Sequence, residues 1–194
     1  MFNIVIFGPP GCGKGTQSNW IIEKYNLVHL STGDVLRAEK ESGSELGQEI
    51  KRLIDNGNLV PDEMIERMVK KFITDNKDSN GIIFDGFPRT TAQAQWLDKT
   101  LAEINQEISL FLALEVNNEE LKIRILKRGK YSKREDDQDP SIIETRIKVY
   151  DETTKPVIHY FRGQSKYYPI HGLGTQEEVF ANVCYAIESI KKKK

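Results

Sequence analysis

The sequence predicts an α/β fold, a five-stranded parallel sheet with helices on both faces, and three observations lead to it. Strand-like apolar runs alternate with helical patterns along the whole chain, which is typical of a parallel sheet covered by helices. The first apolar run leads directly into a glycine-rich loop and then a helix. The length of 194 residues is enough for one domain with a substantial core. The predicted strands are residues 2–7, 28–30, 81–84, 110–116 and 167–170.

Charge and composition exclude several classes of protein. The formal net charge is −1, which does not provide the basic surface of a nucleic-acid binder. The two cysteines, Cys12 and Cys184, cannot form a zinc quartet or a disulfide framework. No apolar run has the length of a membrane span, and the N-terminus lacks a secretory signal pattern. We therefore expect a cytoplasmic protein without nucleic-acid or membrane partners. Residues 191–194, all lysine, are expected to form a solvated tail, with a weak membrane-surface role as the alternative.

The first strand is followed by the run GPPGCGKGT at residues 8–16, before a helix predicted over residues 17–25. A strand, a glycine-rich loop and a helix in this order form a phosphate cradle, because the glycines let backbone N–H groups approach phosphate oxygens. Lys14 can reach the outer phosphates, and the Thr16 hydroxyl can bind magnesium. Gly15 separates Lys14 from Thr16, a spacing typical of nucleoside monophosphate kinases. A chance glycine-rich turn is the alternative.

The second strand leads into STGDVLR at residues 31–37. Ser31 or Thr32 can cap the following helix, and Thr32 and Arg37 can also face a cleft beyond the strand, where Arg37 could hold a phosphate. Residues 32–60 are predicted as short helices, more than a simple crossover between strands requires. They suggest an inserted helical flap, although an ordinary helical pair packed on the sheet is equally compatible with the pattern.

The third strand ends at Asp85 and is followed by GFPRTTAQ. An aspartate at the end of an apolar strand is the second magnesium element of phosphate-loop enzymes, so Asp85 would hold the ion, partly through water. Arg89 would meet a phosphate across the cleft. Gln93 carries both a donor and an acceptor and can therefore read the edge of a base. The alternatives are a turn or cap role for Asp85 and a surface ion pair for Arg89.

After the fourth strand, Asn117 or Asn118 is expected to cap a helix that runs to Arg128; one polar loop follows this helix and another follows the fifth strand. Residues 129–140 are rich in both charge signs and predict a mobile loop whose basic groups, with Arg124, Arg128 and Arg146, could close over polyphosphate; a solvated charged face is the alternative. A helix is predicted over residues 141–161, with a break near Thr154 because Pro156 lies inside it. Gly174 could let backbone approach a base, or could simply turn the chain.

These motifs together resemble the adenylate kinases. The segments that carry the resemblance, which extends from residue 2 to about residue 188, are GPPGCGKGTQ, STGDVLR, NLVPDE, DGFPRTTAQ, LKRG, SKREDD and ETRIKVY. It implies a P-loop NTPase core over residues 1–30, 61–127 and 139–194, an AMP-binding subdomain over residues 31–60 and a short lid over residues 128–138. It also implies a monomer. Structural zinc is not expected, because the chain lacks the long lid and the four cysteines of some relatives.

The resemblance implies reversible, magnesium-dependent transfer of the terminal phosphoryl group of ATP to AMP, which gives two ADP. Lys14, Arg89, Arg128, Arg134 and Arg146 would support catalysis. The ATP site would include Gly11, Cys12, Gly13, Lys14, Gly15, Thr16, Arg128 and Gly174. The AMP site would include Thr32, Arg37, Asn58, Leu59, Val60, Gly86, Phe87, Pro88, Arg89, Gln93, Arg134 and Arg146. Magnesium would be held at Thr16 and Asp85.

Two other functions remain compatible with the sequence. A UMP/CMP kinase has the same fold, but such relatives usually differ at the positions of Thr32 and Gln93. A nucleotide sensor without catalysis would be expected to lose its arginines, which are present here. The three histidines, His29, His159 and His171, lack the spacing of a metal site or catalytic dyad, and structural or surface roles are expected for them.

Overall fold

The computed structural model describes residues 1–132 and 134–192. Lys133 of the predicted lid and Lys193 and Lys194 of the predicted tail lie outside the described residues. Five parallel strands form one sheet in the spatial order β2-β3-β1-β4-β5, which confirms the predicted architecture. The strands are β1 (Asn3–Phe7), β2 (Val28–Ser31), β3 (Ile82–Asp85), β4 (Ile108–Glu115) and β5 (Tyr167–His171).

Helices cover both faces of the sheet. In chain order they are α1 (Lys14–Tyr25), α2 (Thr32–Glu41), α3 (Glu45–Asp55), α4 (Asp62–Asp75), α5 (Thr91–Ala102), α6 (Asn118–Gly129), α7 (Pro140–Val149), α8 (Val157–Gly163) and α9 (Gln176–Lys191). A 3₁₀ turn, Glu135–Asp137, precedes α7, and a π turn, Tyr150–Thr154, separates α7 from α8. Within the described ranges, no helix combines the length and apolar composition needed to cross a bilayer.

Alternation along β1 divides the core into two layers. Val5 and Phe7 belong to the cluster that packs against α4, α5 and α8, whereas Ile4 and Ile6 belong to the cluster that packs against α1 and α9. Successive side chains of a strand point to opposite faces, so a strand with helices on both sides is apolar at every position. The one polar residue of β1, Asn3, is fully buried and hydrogen-bonded: its amide donates to Glu107 O (3.0 Å) and accepts from Ile82 N (3.0 Å).

Pro156 breaks the predicted helix of residues 141–161, as expected. Proline lacks the N–H that would continue the helical hydrogen bonds, and its ring clashes with the carbonyl group four residues earlier in a regular helix. The chain accommodates it with the π turn, in which Lys155 N donates to Tyr150 O at 2.8 Å. Tyr150 packs against Phe7 with ring centroids 5.8 Å apart. Beyond the turn, Phe161 stacks on Phe111 in the core at 4.5 Å.

The segment over residues 31–60 contains the two short helices that the sequence predicts, α2 and α3. Ser31 accepts a hydrogen bond from Asp34 N at the start of α2, and Ser44 accepts one from Gly47 N at the start of α3. The helices approach very closely at Gly47, where a Cβ atom would lie 2.3 Å from Glu39 O. Only glycine permits this approach, so α2 and α3 form one tightly packed unit.

Candidate active site

A cavity of about 830 Å³ lies beyond the carboxyl ends of the strands, where ligands bind in open parallel sheets. Every site residue that the sequence analysis singled out lines it. The loop after β1 and the start of α1 contribute Gly11, Cys12, Gly13, Lys14, Gly15 and Thr16; the flap contributes Thr32, Arg37, Asn58, Leu59 and Val60; the end of β3, its loop and α5 contribute Asp85, Gly86, Phe87, Pro88, Arg89 and Gln93; and later segments contribute Arg128, Arg134, Arg146 and Gly174.

The loop after β1 has the geometry of an anion cradle. Helix α1 begins at Lys14, three residues earlier than predicted, because Gly13 takes a left-handed conformation (φ 102°) that sets the first turn. The N-terminus of α1 therefore lies in the loop, where its free N–H groups and dipole favour phosphate. The Lys14 ammonium folds over the loop and donates to Gly8 O (2.7 Å) and Pro9 O (3.0 Å). Its positive charge is thus held at the wall of the cavity.

Two elements supply oxygen donors of the kind that magnesium prefers. Mg²⁺ prefers carboxylate, hydroxyl and water oxygens and usually keeps several waters, and Thr16 and Asp85 supply one hydroxyl and one carboxylate to the cavity wall. The Asp85 side chain is 12% exposed, and His29 Nε2 lies 3.6 Å from its Oδ2. In residues 1–132 and 134–192, no group of three or more His, Cys, Asp or Glu side chains has the arrangement of a metal cage. The donors present therefore fit a nucleotide-bound magnesium ion better than an ion enclosed by protein.

Arginines from different elements converge on the cavity. Arg89 is anchored by its Nε, which donates to Gly86 O at 2.8 Å. Burial, and then the charge of the nearby Arg146, lower the pKa of Arg89. Burial, followed by Arg37 and Arg128, likewise lowers the pKa of Arg134. Burial is the larger cause of both shifts, and repulsion from neighbouring arginines adds to it. A polyanion between the arginines would relieve that repulsion.

Asp137 holds two of the arginines together. Its side chain is fully buried and accepts hydrogen bonds from Arg128 Nε (2.6 Å) and Nη2 (2.8 Å), and from Arg146 Nη1 (2.6 Å). Asp136 Oδ2 lies 2.7 Å from Arg146 Nη1. Burial tends to raise the pKa of Asp137, but the hydrogen bonds and charges of Arg128 and Arg146 outweigh it and lower the pKa below the usual range. The carboxylate is therefore ionised and fixes the directions of both guanidinium groups.

Asp34 connects the flap with the predicted lid. It forms an ion pair with Arg37 on its own helix, and its Oδ1 lies 3.7 Å from Arg134 Nη2. Burial raises the pKa of Asp34, but hydrogen bonds from Ser31 and Arg37 lower it by more. The ion pair between Asp34 and Arg134 joins residues 31–60 to residues 128–138. Gly57 lies close to α7, because a Cβ there would be 2.9 Å from Arg146 Cγ.

Gln93 presents a buried amide to the cavity, only 3% exposed. Its Oε1 accepts from Arg89 N at 2.7 Å, and its Nε2 donates to Asp62 Oδ1 at 2.6 Å. Gly174, which also lines the cavity, has a φ of 108°, and a Cβ there would lie 2.7 Å from Glu178 Oε2. Glycine at this position thus suits both the left-handed backbone and the close approach of the Glu178 carboxylate, which accepts from Thr175 N at 2.8 Å.

Several cavity residues escaped the sequence analysis as site residues. Lys127 and Tyr131 line the wall, and Arg124, considered only as part of a basic loop, lines it while donating to Gly172 O at 2.9 Å. Outside the cavity lining, His29, expected to be structural or exposed, has a buried Nε2 beside Asp85. Ser31 pairs with Asp85 in the sheet, and His29 lies two residues earlier on the same face of β2, a placement that only the strand register reveals.

Comparisons with known proteins agree on one family. The family model described as adenylate kinase matches residues 6–166. An adenylate kinase of Bacteroides thetaiotaomicron is 50% identical over 190 residues, which cover 98% of this chain and 100% of the relative. The adenylate kinase of Flavobacterium psychrophilum is 44% identical with the same coverage, and that of Maricaulis maris is 42% identical over 96% of this chain and 98% of the relative.

We predict that Asp137→Asn lowers the free energy of unfolding at pH 7 by about 1.5–3 kcal/mol, the usual value for hydrogen bonds to charged groups. Because the folded-state pKa of Asp137 is lowered, its stabilisation is complete above the unfolded value of about 4 and disappears as pH falls through the folded value. Urea unfolding from pH 7 to pH 3 measures this. The difference between variant and wild type should shrink below about pH 4, whereas the exposed Asp78→Asn should show little difference at any pH. A pH-independent difference would contradict the prediction.

Proposed function

This chain belongs to the adenylate kinase family and is an ATP:AMP phosphotransferase, and we propose that it performs the transfer in the cavity around Lys14. The observation that carries this proposal is the convergence of Lys14 with Arg37, Arg89, Arg128, Arg134 and Arg146 on one cavity of about 830 Å³. The full-length relatives favour this activity over the pyrimidine-kinase and sensor alternatives. ATP, AMP and ADP are its substrates.

We assign the ATP phosphates to the loop after β1, where Lys14 and the N-terminus of α1 face the cavity. Arg128 would contact ATP from α6, and Gly174 would lie near its adenine. The AMP phosphate would lie among Arg37, Arg89 and Arg146, with the adenine beside Gln93. Arg134 would bridge the two nucleotides. This arrangement places donor and acceptor phosphates between cationic groups that come from opposite walls.

The reaction does not require a side-chain base. The attacking oxygen belongs to the AMP phosphate, whose second pKa is about 6, so it is mostly ionised at neutral pH. It forms the new bond to the γ-phosphorus of ATP while the bond to the β–γ bridging oxygen breaks, and ADP leaves with that oxygen. The residues contribute alignment and charge neutralisation, which dominate phosphoryl transfer. This agrees with a cavity rich in lysine and arginine.

Magnesium bound with ATP would supply further neutralisation of the phosphate charge. Thr16 would offer its hydroxyl, and Asp85 would accept hydrogen bonds from the ion's waters or bind it directly. His29 lies beside Asp85 on the neighbouring strand, but its Nε2, 3.6 Å from Asp85 Oδ2, makes no hydrogen bond with any residue that the structure describes.

We further propose that residues 31–60 and 128–138 move as a flap and a lid over the core. Water competes with AMP as acceptor, so transfer requires a site from which water is excluded. The contact between Asp34 and Arg134 joins the two segments directly. A monomer acting in the cytoplasm also belongs to the proposal; light scattering and cell fractionation would test these two points.

We expect Lys14→Met and Arg89→Ala each to lower kcat by about 100- to 1,000-fold, the usual effect of removing one group that stabilises transition-state charge. ADP formation in a coupled assay measures the rate, and circular dichroism checks the fold. Lys71→Met removes an exposed lysine of α4 and serves as the matched control. Turnover close to wild type in a folded Lys14 or Arg89 variant would refute the role of that residue.

For the magnesium site, we expect chelation to abolish transfer, and Asp85→Asn to raise the magnesium concentration for half-maximal rate by about tenfold, as for other outer-sphere ligands. Magnesium titrations at fixed ATP and AMP measure this. Asp78→Asn is the control for loss of one carboxylate. An unchanged magnesium dependence in Asp85→Asn would exclude a role in holding the ion.

For the flap and lid, we expect the distance between residues 49 and 131 to shorten and its distribution to narrow when both nucleotides are added. Spin labels at Glu49→Cys and Tyr131→Cys, both at exposed sites, measure it by electron paramagnetic resonance. The background is Cys184→Ser, with the buried Cys12 retained. A distance that does not respond to nucleotides would argue against motion of these segments.

A further inference from the structure

Both polar atoms of the Gln93 side-chain amide are hydrogen-bonded within the protein. We propose that Asp62 is a positioning residue for specificity: it fixes this amide in the orientation that reads adenine and rejects 6-oxopurines. The inference rests on the proposed role of Gln93 as the reader of the AMP base. Asp62 is the first residue of α4 and Gln93 lies in the first turn of α5. The two helices lie side by side at the wall of the cavity that Gln93 lines.

The two partners of Gln93 both impose the same orientation. An ionised carboxylate only accepts hydrogen bonds, so the side of the amide that faces Asp62 must be its nitrogen. A backbone N–H only donates, so the side that faces Arg89 N must be the oxygen. The observed contacts satisfy both conditions, at 2.6 Å for Nε2 to Asp62 Oδ1 and 2.7 Å for Arg89 N to Oε1. Rotating the amide by 180° would put a donor against Arg89 N–H and an oxygen against the carboxylate.

The fixed amide retains one N–H and one oxygen lone pair for a ligand. Adenine offers a matching edge, because N1 accepts a hydrogen bond and the adjacent N6 amino group donates one. Hypoxanthine and guanine present the reverse pattern, with a donor at N1 and an acceptor at O6. Reading such a base from the same position would require the rotated amide. A hydrogen-bonding site rejects a ligand strongly when its buried polar groups would be left unpaired, and Gln93 is almost completely buried.

A helix-end role of Asp62 does not account for this contact. Acidic residues in the first turn of a helix interact favourably with its dipole, and both Asp62 and Glu63 occupy that turn of α4. Glu63 is exposed, whereas Asp62 is partly buried and bonded to Gln93. The neighbouring glutamate therefore provides a control with the same charge at the same helix end.

The test compares AMP with IMP, which differ only at the edge that Gln93 would read. In Asp62→Asn, the side chain can donate or accept, so it tolerates either orientation of the Gln93 amide. Arg89 N–H still favours the original one, so discrimination falls without disappearing. We expect the ratio of kcat/KM for AMP to that for IMP, at saturating magnesium and ATP, to fall about tenfold, which corresponds to about 1.4 kcal/mol. Dissociation constants of AMP and IMP should change in the same ratio.

Glu63→Gln should leave the AMP-to-IMP ratio unchanged, because it removes the same charge without touching Gln93. If Asp62→Asn and Glu63→Gln change the rates for both nucleotides equally, Asp62 is only a helix-end residue and the inference is wrong. Asp62→Ser provides a second variant that can donate or accept, should the asparagine variant fold poorly. An unchanged ratio in a folded variant of either kind overturns the inference.

Gln93→Leu separates this inference from the assignment on which it rests. If Gln93→Leu leaves the AMP-to-IMP ratio unchanged, then Gln93 does not read the base and the assignment itself fails. If Gln93→Leu lowers the ratio but Asp62→Asn does not, then only the positioning role of Asp62 fails. If Gln93 reads the base and Asp62 positions it, adding Asp62→Asn to Gln93→Leu should cause no further loss of discrimination between AMP and IMP.

Discussion

Mutual repulsion of cationic side chains is the constraint on which this site depends. Several arginines must face one cavity without being driven apart, and in a partly buried site their repulsion is weakly screened. Carboxylates that lie between the arginines offset this repulsion. Asp137 bridges Arg128 and Arg146 from a fully buried position, and Asp34 lies between Arg37 and Arg134. The acidic residues carry no chemistry of their own, but they set where the positive charges can be.

The parallel sheet makes this convergence possible. The loop after β1, the end of β3 and the loop after β5 are distant in sequence, yet all lie at the carboxyl edge of the sheet because all strands run in the same direction. Asn3 and the buried apolar residues of β1 hold the central strand, and therefore the start of the phosphate loop, in a fixed position. The segments over residues 31–60 and 128–138 are therefore positioned against an edge of the sheet that also holds Lys14.

The sequence predicted the strands to within two residues, because buried strands require uninterrupted apolar runs that are visible in one dimension. It also predicted many of the side chains that line the cavity, some because motifs after parallel strands converge and others only through the family resemblance, but it missed Lys127 and Tyr131. It did not predict the partners of those side chains. The contacts of Asp62, Asp137 and His29 are with residues of other elements, so they depend on the tertiary fold. Nothing in the local sequence distinguishes these three residues from helix-end, loop or core residues. The form in which Pro156 interrupts the helix, a π turn, likewise depends on packing against Phe7 and Phe111.

The π turn also determines how the cavity-facing residues of α7 are oriented relative to the core-facing residues of α8. Each residue advances an α-helix by about 100°, so the extra residue accommodated between Tyr150 and Lys155 determines which side chains of α8 face inwards. Before the turn, Arg146 and Tyr150 line the cavity, and beyond it Val157 and Phe161 face the apolar core. Loss of a single residue from the turn would rotate the side chains of α8 by about 100° relative to those of α7. The orientation of the cavity residues of α7 and the core packing of α8 therefore both depend on one irregular turn.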